Sequence, residues 1–386
     1  MDDRRRLLGD RVRKARERLG LKQKQLADEA GFPSLQTISQ IEKGDRDVKA
    51  WELFNLAKAL RLELSELLSV ESPDSSVPVV WRKVPTANRE LIEADFRQHC
   101  KDYAFLEELC NLKAENELPI KDFDLSRMSY QRATKFGDEI REELNLGNRP
   151  ASCLSGTLEE KYAVKIWYAN LGDECSAASA KGSFGSGVLI NADEPPWRRN
   201  FSFAHELFHL LTWPYTNQTS ISGVGFSDRI EKIAESFASS LLLPGDEVNR
   251  ILKERETRDA ILYIDLVEIS REFDVSAKAL LWRMVNLGYI NSDKAQEILA
   301  DPEFTKKDHG ARIGAWGHPP DVPERFARLA HLAYRKGKLS RARLAQLLNV
   351  SLIDLTDRLL EYGLDDSENY QGSVRTSRRS RNNSKP

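Results

Sequence analysis

The most densely apolar helical pattern in the chain lies at residues 201–213, which read F-S-F-A-H-E-L-F-H-L-L-T-W. Apolar side chains occupy nearly every side of a helix drawn through this segment, so the pattern predicts a buried helix. Its ionisable residues are His205, Glu206 and His209. Because positions i and i+4 of a helix lie on one face, the two imidazoles are expected to point to the same side, with Glu206 one step round.

A second apolar stripe at helical spacing occupies residues 231–244 and ends at Pro244-Gly245. Two carboxylates, Glu231 and Glu235, are four residues apart on one side of this predicted helix. The apolar positions between and after them predict that the opposite side is buried. They are Ile233, Ala234, Phe237, Ala238, Leu241 and Leu242.

Two imidazoles and a carboxylate form a donor set that zinc takes in catalytic sites, where the fourth position is left to water. We therefore predict that His205, His209 and Glu231 bind Zn²⁺, with Mn²⁺ as a second possibility. Glu206 is the predicted general base for a water on that metal. Glu235 is expected to accept the second ring proton of a ligand histidine. The competing interpretation is a core helix with two hydrogen-bonded histidines and a solvated pair of glutamates.

The first 70 residues show short helical periods separated by breaks, with helices expected near residues 9–19, 22–30, 35–43, 50–60 and 64–68. Gly31 and Pro33 interrupt the pattern, Ser34 is a predicted N-cap, and Gly44 ends the third helix. Residues 71–78 (E-S-P-D-S-S-V-P) are typical of a linker. A helical connector is predicted at residues 91–112.

The middle of the chain predicts a charged amphipathic helix at residues 129–144 and two strands, at residues 162–168 and 187–190. Between the strands, a glycine-rich turn is expected to lead into an edge strand that pairs with extended substrate. A repeat follows near the C-terminus, which predicts paired helices capped by Ser276 and Ser351. Val275, Ser276, Leu280, Arg283 and Gly288 recur as Val350, Ser351, Leu355, Arg358 and Gly363.

Composition describes an ordinary soluble protein of 386 residues, with 40% hydrophobic and 31% charged residues and a net charge of −2. Any affinity for nucleic acid must therefore be local. Ten basic against four acidic residues up to Lys24 give a local charge of +6, and the tail at residues 373–386 is basic and predicted to be disordered. The four scattered cysteines favour reduced thiols, and the absence of a long apolar run favours a cytoplasmic protein.

Residues 1–70 resemble the Cro/cI (XRE) type of helix-turn-helix through three motifs: K-Q-x-x-L-A in the second helix, S-x-x-x-I-S-x-I-E-x-G in the third and L-x-x-L-A-x-A-L in the fourth. The resemblance implies that the third helix reads DNA bases in the major groove, and that Gln25 contacts a phosphate. Such units usually bind as dimers, so a homodimer is expected. The predicted base-reading residues are Gln36, Thr37, Ser39 and Gln40.

The motifs A-H-E-L-x-H-L-L and E-x-x-A-x-x-F-A-x-x-L-L-x-P resemble the ImmA/IrrE family of metallopeptidases over about residues 129–250. The resemblance implies a zinc endopeptidase that cleaves a helix-turn-helix repressor, with His205, His209 and Glu231 as ligands and Glu206 as base. Two positions depart from the family pattern. Phe208 replaces the usual Gly, so added bulk near the metal is expected to narrow the cleft, and Glu235 replaces Asn or Asp.

The predicted fold class is α+β, mostly α, with five parts. These are a five-helix DNA-binding domain (1–70), a linker and connector (71–128), a zincin-like metallopeptidase domain with a small sheet (129–250), a helical region with the repeat (251–372) and the basic tail (373–386). The predicted function is a transcriptional regulator whose peptidase cleaves a repressor, its own helix-turn-helix part or a partner's, in response to stress or DNA damage. The alternative is a transcription factor whose peptidase-like domain is a non-catalytic sensing module.

Overall fold

The computed structural model describes residues 2–62, 64–68, 77–85, 88–112, 114–216, 228–256, 260–311 and 317–365. The basic tail and most of the predicted linker lie outside these residues. The described chain is mostly helical with one four-stranded sheet, so the predicted α+β fold class is confirmed. It divides into two compact units, Met1–Pro323 and Glu324–Pro386. No helix within the described ranges is long and apolar enough to cross a membrane.

Helices α1 to α5 form the N-terminal bundle close to the predicted positions, as Asp2–Arg18, Gln23–Glu29, Leu35–Lys43, Ala50–Ala59 and Leu64–Leu68. Its core is apolar, and Leu26, Ile38 and Leu56 are completely buried. Gly44 ends α3 in the left-handed conformation (φ 74°), which glycine adopts without a Cβ clash.

A buried ion pair fastens α3 to α1 in this bundle. The Arg16 guanidinium donates to both carboxylate oxygens of Glu42, and Gln23 of α2 donates to the same carboxylate at 2.8 Å. Three helices thus share one buried charge, whose desolvation is offset by three hydrogen bonds. The helical periods alone did not predict this contact.

The other helices in the described part of the first unit follow in chain order. After α6 (Arg89–Cys110) come α7 (Tyr130–Glu143), a 3₁₀ turn (Pro150–Ser152), α8 (Leu154–Tyr162) and α9 (Pro196–Leu211). Then follow α10 (Asp228–Leu242), α11 (Gly245–Arg255), α12 (Tyr263–Glu272), α13 (Ala277–Asn286), α14 (Ser292–Ala300) and α15 (Pro302–Ala311).

The sheet contains β1 (Val79–Trp81), β2 (Lys165–Ala169), β3 (Ala177–Gly182) and β4 (Gly185–Asn191) in the order β1-β3-β4-β2. β2 and β4 confirm the two predicted strands and pair in parallel, while β3 is antiparallel to both β4 and β1. The predicted edge position of the strand after the glycine-rich turn is wrong. β4 is an interior strand, because β3 and β1 add to its other side.

The sequence did not predict β3 because its residues, A-A-S-A-K-G, have low strand propensity. Ala177, Ala178 and Ala180 are nevertheless completely buried. Small side chains suit this strand because β1 and β4 flank it and α9 packs against its face. Strand β1 follows the predicted linker, and its three residues are buried although they are too few to show a period.

Helix α10 packs against both α9 and α7. Gly137 of α7 is the point of closest approach between α7 and α10. A Cβ at Gly137 would lie 2.6 Å from the Phe237 carbonyl oxygen and 3.0 Å from the Leu241 nitrogen. The glycine therefore sets how near α7 can come to α10, the helix that carries Glu231 and Glu235.

The repeated segments begin differently. Ser276 caps α13 by accepting from the Ala279 amide at 3.1 Å, as predicted. In the second unit, which contains α16 (Glu324–Arg335), α17 (Arg341–Leu347) and α18 (Leu355–Glu361), Ser351 instead accepts from the amides of a turn at Ile353 and Asp354. The predicted helix cap at Ser351 is therefore wrong, because the turn delays the helix to Leu355.

We predict that Gly137→Ala lowers the free energy of unfolding by about 1–3 kcal/mol, because the added methyl group overlaps backbone atoms that cannot rotate away. Gly156→Ala is the matched control, since a Cβ there meets nothing within 4 Å in α8. It should be neutral or slightly stabilising. Urea unfolding followed by circular dichroism measures both, and equal stabilities of the two variants would contradict the close approach.

Candidate functional site

The two histidines and the glutamate of the H-E-x-x-H motif lie in the last two turns of α9, between the sheet and α10. Pro196 starts the helix at its first turn, where a missing N–H costs nothing, and Thr212 ends it. His205, Glu206 and His209 are 0%, 0% and 1% exposed. Polar groups so deeply buried need hydrogen-bond partners or a metal ion, so the neighbouring side chains show which of these the site provides.

Helix α10 brings Glu231 to the two imidazoles. The Nε2 atoms of His205 and His209 lie 3.2 Å apart, and His205 Nε2 lies 3.1 Å from Glu231 Oε2. His209 Nε2 lies 3.7 Å from Glu231 Oε1. One nitrogen from each histidine and one oxygen from Glu231 all fall within 4.8 Å of one another. The structure therefore brings together the three residues that the sequence proposed as ligands.

This arrangement fits a tetrahedral zinc ion. Bonds of 2.0–2.1 Å place neighbouring ligand atoms about 3.3 Å apart, close to the two shorter distances of the cluster. Burial lowers the pKa of His205 well below its usual value and that of His209 to about 3. Both imidazoles are therefore neutral at pH 7, the form in which nitrogen has a lone pair for a metal.

Glu206 points into the same space without a protein partner. Both of its carboxylate oxygens are buried and make no hydrogen bond to any described residue. Burial raises the pKa of Glu206 to about 8. The nearby Ser179 hydroxyl lowers this pKa, although it makes no hydrogen bond to Glu206, and the charge of Glu231 raises it. A divalent cation beside this carboxyl would favour its ionised form, the form that accepts a proton.

Glu235 is placed differently from its predicted role. Its Oε1 accepts a hydrogen bond of 2.7 Å from Arg82 Nη2, and 45% of its side chain is exposed. His205 Nδ1 is buried and has no hydrogen-bond partner among the residues described. The hydrogen bond expected from a ligand histidine to Glu235 is therefore not present, because the carboxylate turns outward to the guanidinium.

Phe208, the other departure from the family pattern, packs into the apolar core. Its ring is completely buried and packs 5.5 Å from Phe237 of α10 and 6.4 Å from Phe136 of α7, centre to centre. It also meets the His209 ring edge to face at 5.6 Å. Phe208 thus fills the core behind His209. It does not narrow the cleft, so the expectation from the sequence is wrong on this point.

Arg82 is the residue of this site that the sequence did not identify. Its guanidinium donates to Glu235, one turn after Glu231 on α10. Its positive charge acts together with burial, the larger cause, to lower the pKa of the His205 and His209 imidazoles. It comes directly after β1, more than a hundred residues before α9. Only the apolar run V-V-W after the linker hinted that a strand precedes it.

A cavity of about 610 Å³ is lined by Ser202 of α9 and Glu235 of α10, each about one turn from a proposed ligand, and not by His205, Glu206, His209 or Glu231 themselves. Four basic side chains and two acidic ones line it, together with the rings of Tyr130, Phe201 and Trp282. The excess of positive charge favours ligands or peptide side chains that carry negative charge. The charged residues are Arg82, Arg198, Lys232, Lys278, Glu194 and Glu235.

The predicted DNA-reading side chains all lie on α3, opposite its buried Ile38 and Ile41. Gln36 and Gln40 are exposed, and Thr37 and Ser39 are half-buried on either side of them. Gln25 is exposed on α2, but its Oε1 accepts from the Lys22 amide at 2.8 Å and so caps its own helix. Its Nε2 donor is the group that would meet a phosphate.

Comparison with known proteins finds two domain families in this chain. The family model described as helix-turn-helix matches residues 12–67, and the model of the IrrE N-terminal-like domain, a metallopeptidase-type family, matches residues 159–284. A search of curated proteins found no match.

Among solved structures, the crystal structure of Bacillus thuringiensis PlcR in complex with the peptide PapR7 and DNA aligns with 93% of this chain and 96% of that one. The identity is 13% and the TM-score 0.16, which is too low to support an argument about fold or function. The two domain matches agree in order and position with the bundle of α1 to α5 and with strands β2 to β4 and the α9–α10 pair, while β1 lies outside both matches. The chain is a fusion of an XRE-type helix-turn-helix domain with an ImmA/IrrE-like peptidase domain.

Proposed function

We propose that this chain is a DNA-binding regulator whose ImmA/IrrE-like domain is a zinc-dependent endopeptidase. The observation that carries the proposal is the convergence of His205, His209 and Glu231 on one point, with the unpartnered Glu206 carboxyl beside them. A core helix with satisfied histidines, the competing interpretation, would not leave an unpartnered carboxyl in the core, whereas both Glu206 oxygens are buried without a hydrogen bond from any described residue.

In the proposed reaction, His205, His209 and Glu231 hold the ion, with Mn²⁺ as the second candidate. Zinc in such a site supplies Lewis acidity toward the scissile carbonyl and makes a bound water more acidic. Glu206 takes a proton from the attacking water, whose oxygen bonds to the carbonyl carbon. Glu206 then gives that proton to the leaving amine as the C–N bond breaks. Burial of Glu206 keeps bulk water from competing for the proton.

The proposed substrate is a repressor protein. The helix-turn-helix domain in the same chain places a DNA-binding unit next to the peptidase, so the chain's own N-terminal part, in cis or in a second copy, is one candidate substrate. A partner repressor bound on the same DNA is the other. Cleavage would separate DNA binding from the rest of the repressor in response to stress or DNA damage. A homodimer would present paired recognition helices to two half-sites.

A non-catalytic sensing module is the alternative. The sequence supported this alternative through the expectation that Phe208 narrows the cleft. The Phe208 ring is instead buried in the core behind His209, so this support is lost. The near-complete burial of His205, Glu206 and His209 is an observation in its favour, since a substrate must reach the ion. Variants of Glu206 separate the two functions.

The metal site predicts how ligand variants behave. Purified wild type should hold about one zinc per chain. His205→Ala and Glu231→Ala should each lose it, because two remaining donors bind zinc weakly. Lys232→Ala is the matched control: it removes an exposed side chain next to Glu231 on α10 and should not affect metal content. Inductively coupled plasma mass spectrometry of the folded proteins measures this, and zinc retained by both ligand variants would contradict the assignment.

Glu206→Ala should retain the zinc but reduce cleavage by about a hundredfold or more, because the proton acceptor is missing. Fragments of the chain are measured by intact-protein mass spectrometry in bacterial cells before and after DNA damage. A tagged Glu206→Ala copy, expressed beside the wild type, reports cleavage between copies. Equal fragmentation or equal regulation in wild type and Glu206→Ala would contradict the proposed enzyme and favour the sensing module.

DNA recognition is predicted to depend on the exposed amides of α3. Gln36→Ala and Gln40→Ala should each weaken binding by about tenfold and relax base preference at one position of the site. Gln131→Ala, an exposed glutamine of α7, is the control and should bind as wild type. Selection from a random duplex pool followed by titration measures both effects. Unchanged base preference in both α3 variants would contradict the assignment of the recognition helix.

A further inference from the structure

Strand β1 lies where an extended peptide would join the sheet. It pairs antiparallel with β3, with Val79 opposite Ala180, Val80 opposite Ser179 and Trp81 opposite Ala178. Without β1, β3 would be the edge strand, and a free edge offers a row of N–H and C=O groups to a peptide. The chain's own segment fills that row.

Strand β3 lies against the helix that carries the proposed ligands. Helix α9 packs on β3, and Val80 of β1 is the cross-strand neighbour of Ser179 in that strand. Side chains alternate along a strand, so Val80 and Arg82 face the same side. Val80 is 4% exposed in the core shared with α9, and Arg82 reaches Glu235, one turn after Glu231.

The other face of β1 is tied to α6. Trp81 Nε1 donates to Glu93 Oε1 at 2.8 Å, and Arg97 Nε donates to the Val77 carbonyl oxygen at 3.0 Å. The same helix contacts the helix-turn-helix bundle. Ala94 is part of the core of that bundle, and Arg61 at the end of α4 donates to Asp95 at 2.6 Å.

We propose that residues 77–82 form an autoinhibitory strap over the peptidase site. The strap takes the strand position of the substrate and holds Arg82 beside the ligand cluster, so substrate enters only when the strap leaves β3. This inference rests on the proposed peptidase function. Because α6 holds both the strap and the DNA-binding bundle, movement of that bundle would reach the active site.

An inhibitor and a substrate in cis would occupy the same edge, and the contacts favour the inhibitor. Val79, Val80 and Trp81 are all less than 9% exposed, and side chains on both faces are anchored. Anchors on both faces would return the segment to β3 after each opening, as an inhibitor requires, whereas a substrate has to leave after cleavage. Cleavage mapped inside residues 77–85 would overturn the inhibitory assignment.

The test uses the zinc-loaded full chain and measures how fast a chromogenic chelator removes the zinc. Arg82→Ala loses the charge-assisted bond to Glu235 and should release zinc about tenfold faster, because the strap opens more often. Lys83→Ala is the matched control. It removes the neighbouring charge, whose partner Glu174 is 60% exposed, and should match the wild type.

A second variant locks the strap. Val79→Cys with Ala180→Cys joins residues that are directly opposite, at a separation that a disulfide spans. The oxidised protein should release zinc about tenfold more slowly than the same protein after reduction, and hydrogen exchange of the β3 amides should slow with it. Hydrogen exchange also shows whether Arg82→Ala remains folded.

The outcomes separate the two proposals. Equal release rates in oxidised and reduced protein, with Arg82→Ala and Lys83→Ala alike, would overturn the strap and leave the peptidase standing. A wild type that takes up no zinc would overturn the peptidase and, with it, the inhibitory role of the strap. The result that the proposal expects is faster release in Arg82→Ala but not in Lys83→Ala, together with slower release in the oxidised disulfide variant than in the reduced one.

Discussion

The desolvation of four ionisable side chains at one point is the constraint on which the rest of the site depends. His205, Glu206, His209 and Glu231 lie in a core that is otherwise apolar. Such groups are costly to bury unless something pairs with them, and among the described protein atoms the Glu206 carboxylate has no partner. A divalent cation with its water would resolve this imbalance, since it would give the imidazole nitrogens and carboxylate oxygens a common partner. The surrounding helices and strands hold these donor atoms close together.

Several neighbouring elements help to position the helices that carry these donors. The contact at Gly137 lets α7 support α10 closely, and Phe208 fills the space between these helices and α9. Small residues in β3 let α9 lie against the sheet. Strand β1 completes the sheet from a distant part of the chain, and α6 links it to the DNA-binding bundle. DNA binding and the peptidase site therefore share one mechanical connection in the proposed regulator.

The sequence predicted the parts whose information is local. Helical periods placed α1 to α5, α9 and α10, and the spacing of His205, His209 and Glu231 brought forward the residues that converge. It missed β3, whose alanines have no strand preference and are set by packing, and β1, which is too short to show a period. It also missed Arg82, since nothing local connects that residue to Glu235, 153 positions later. Rules for isolated helices could not foresee that Glu235 would turn to a distant guanidinium and away from a histidine.

The central claim is that two imidazoles and one carboxylate hold a zinc ion in this fold. X-ray absorption at the zinc edge of the purified chain tests it directly, because it reports the atoms that surround the ion. The account predicts nitrogen and oxygen neighbours at about 2.0–2.1 Å with the outer-shell scattering of two imidazole rings. A sulfur shell at about 2.3 Å, which would come from cysteine, or oxygen neighbours without imidazole scattering would contradict it.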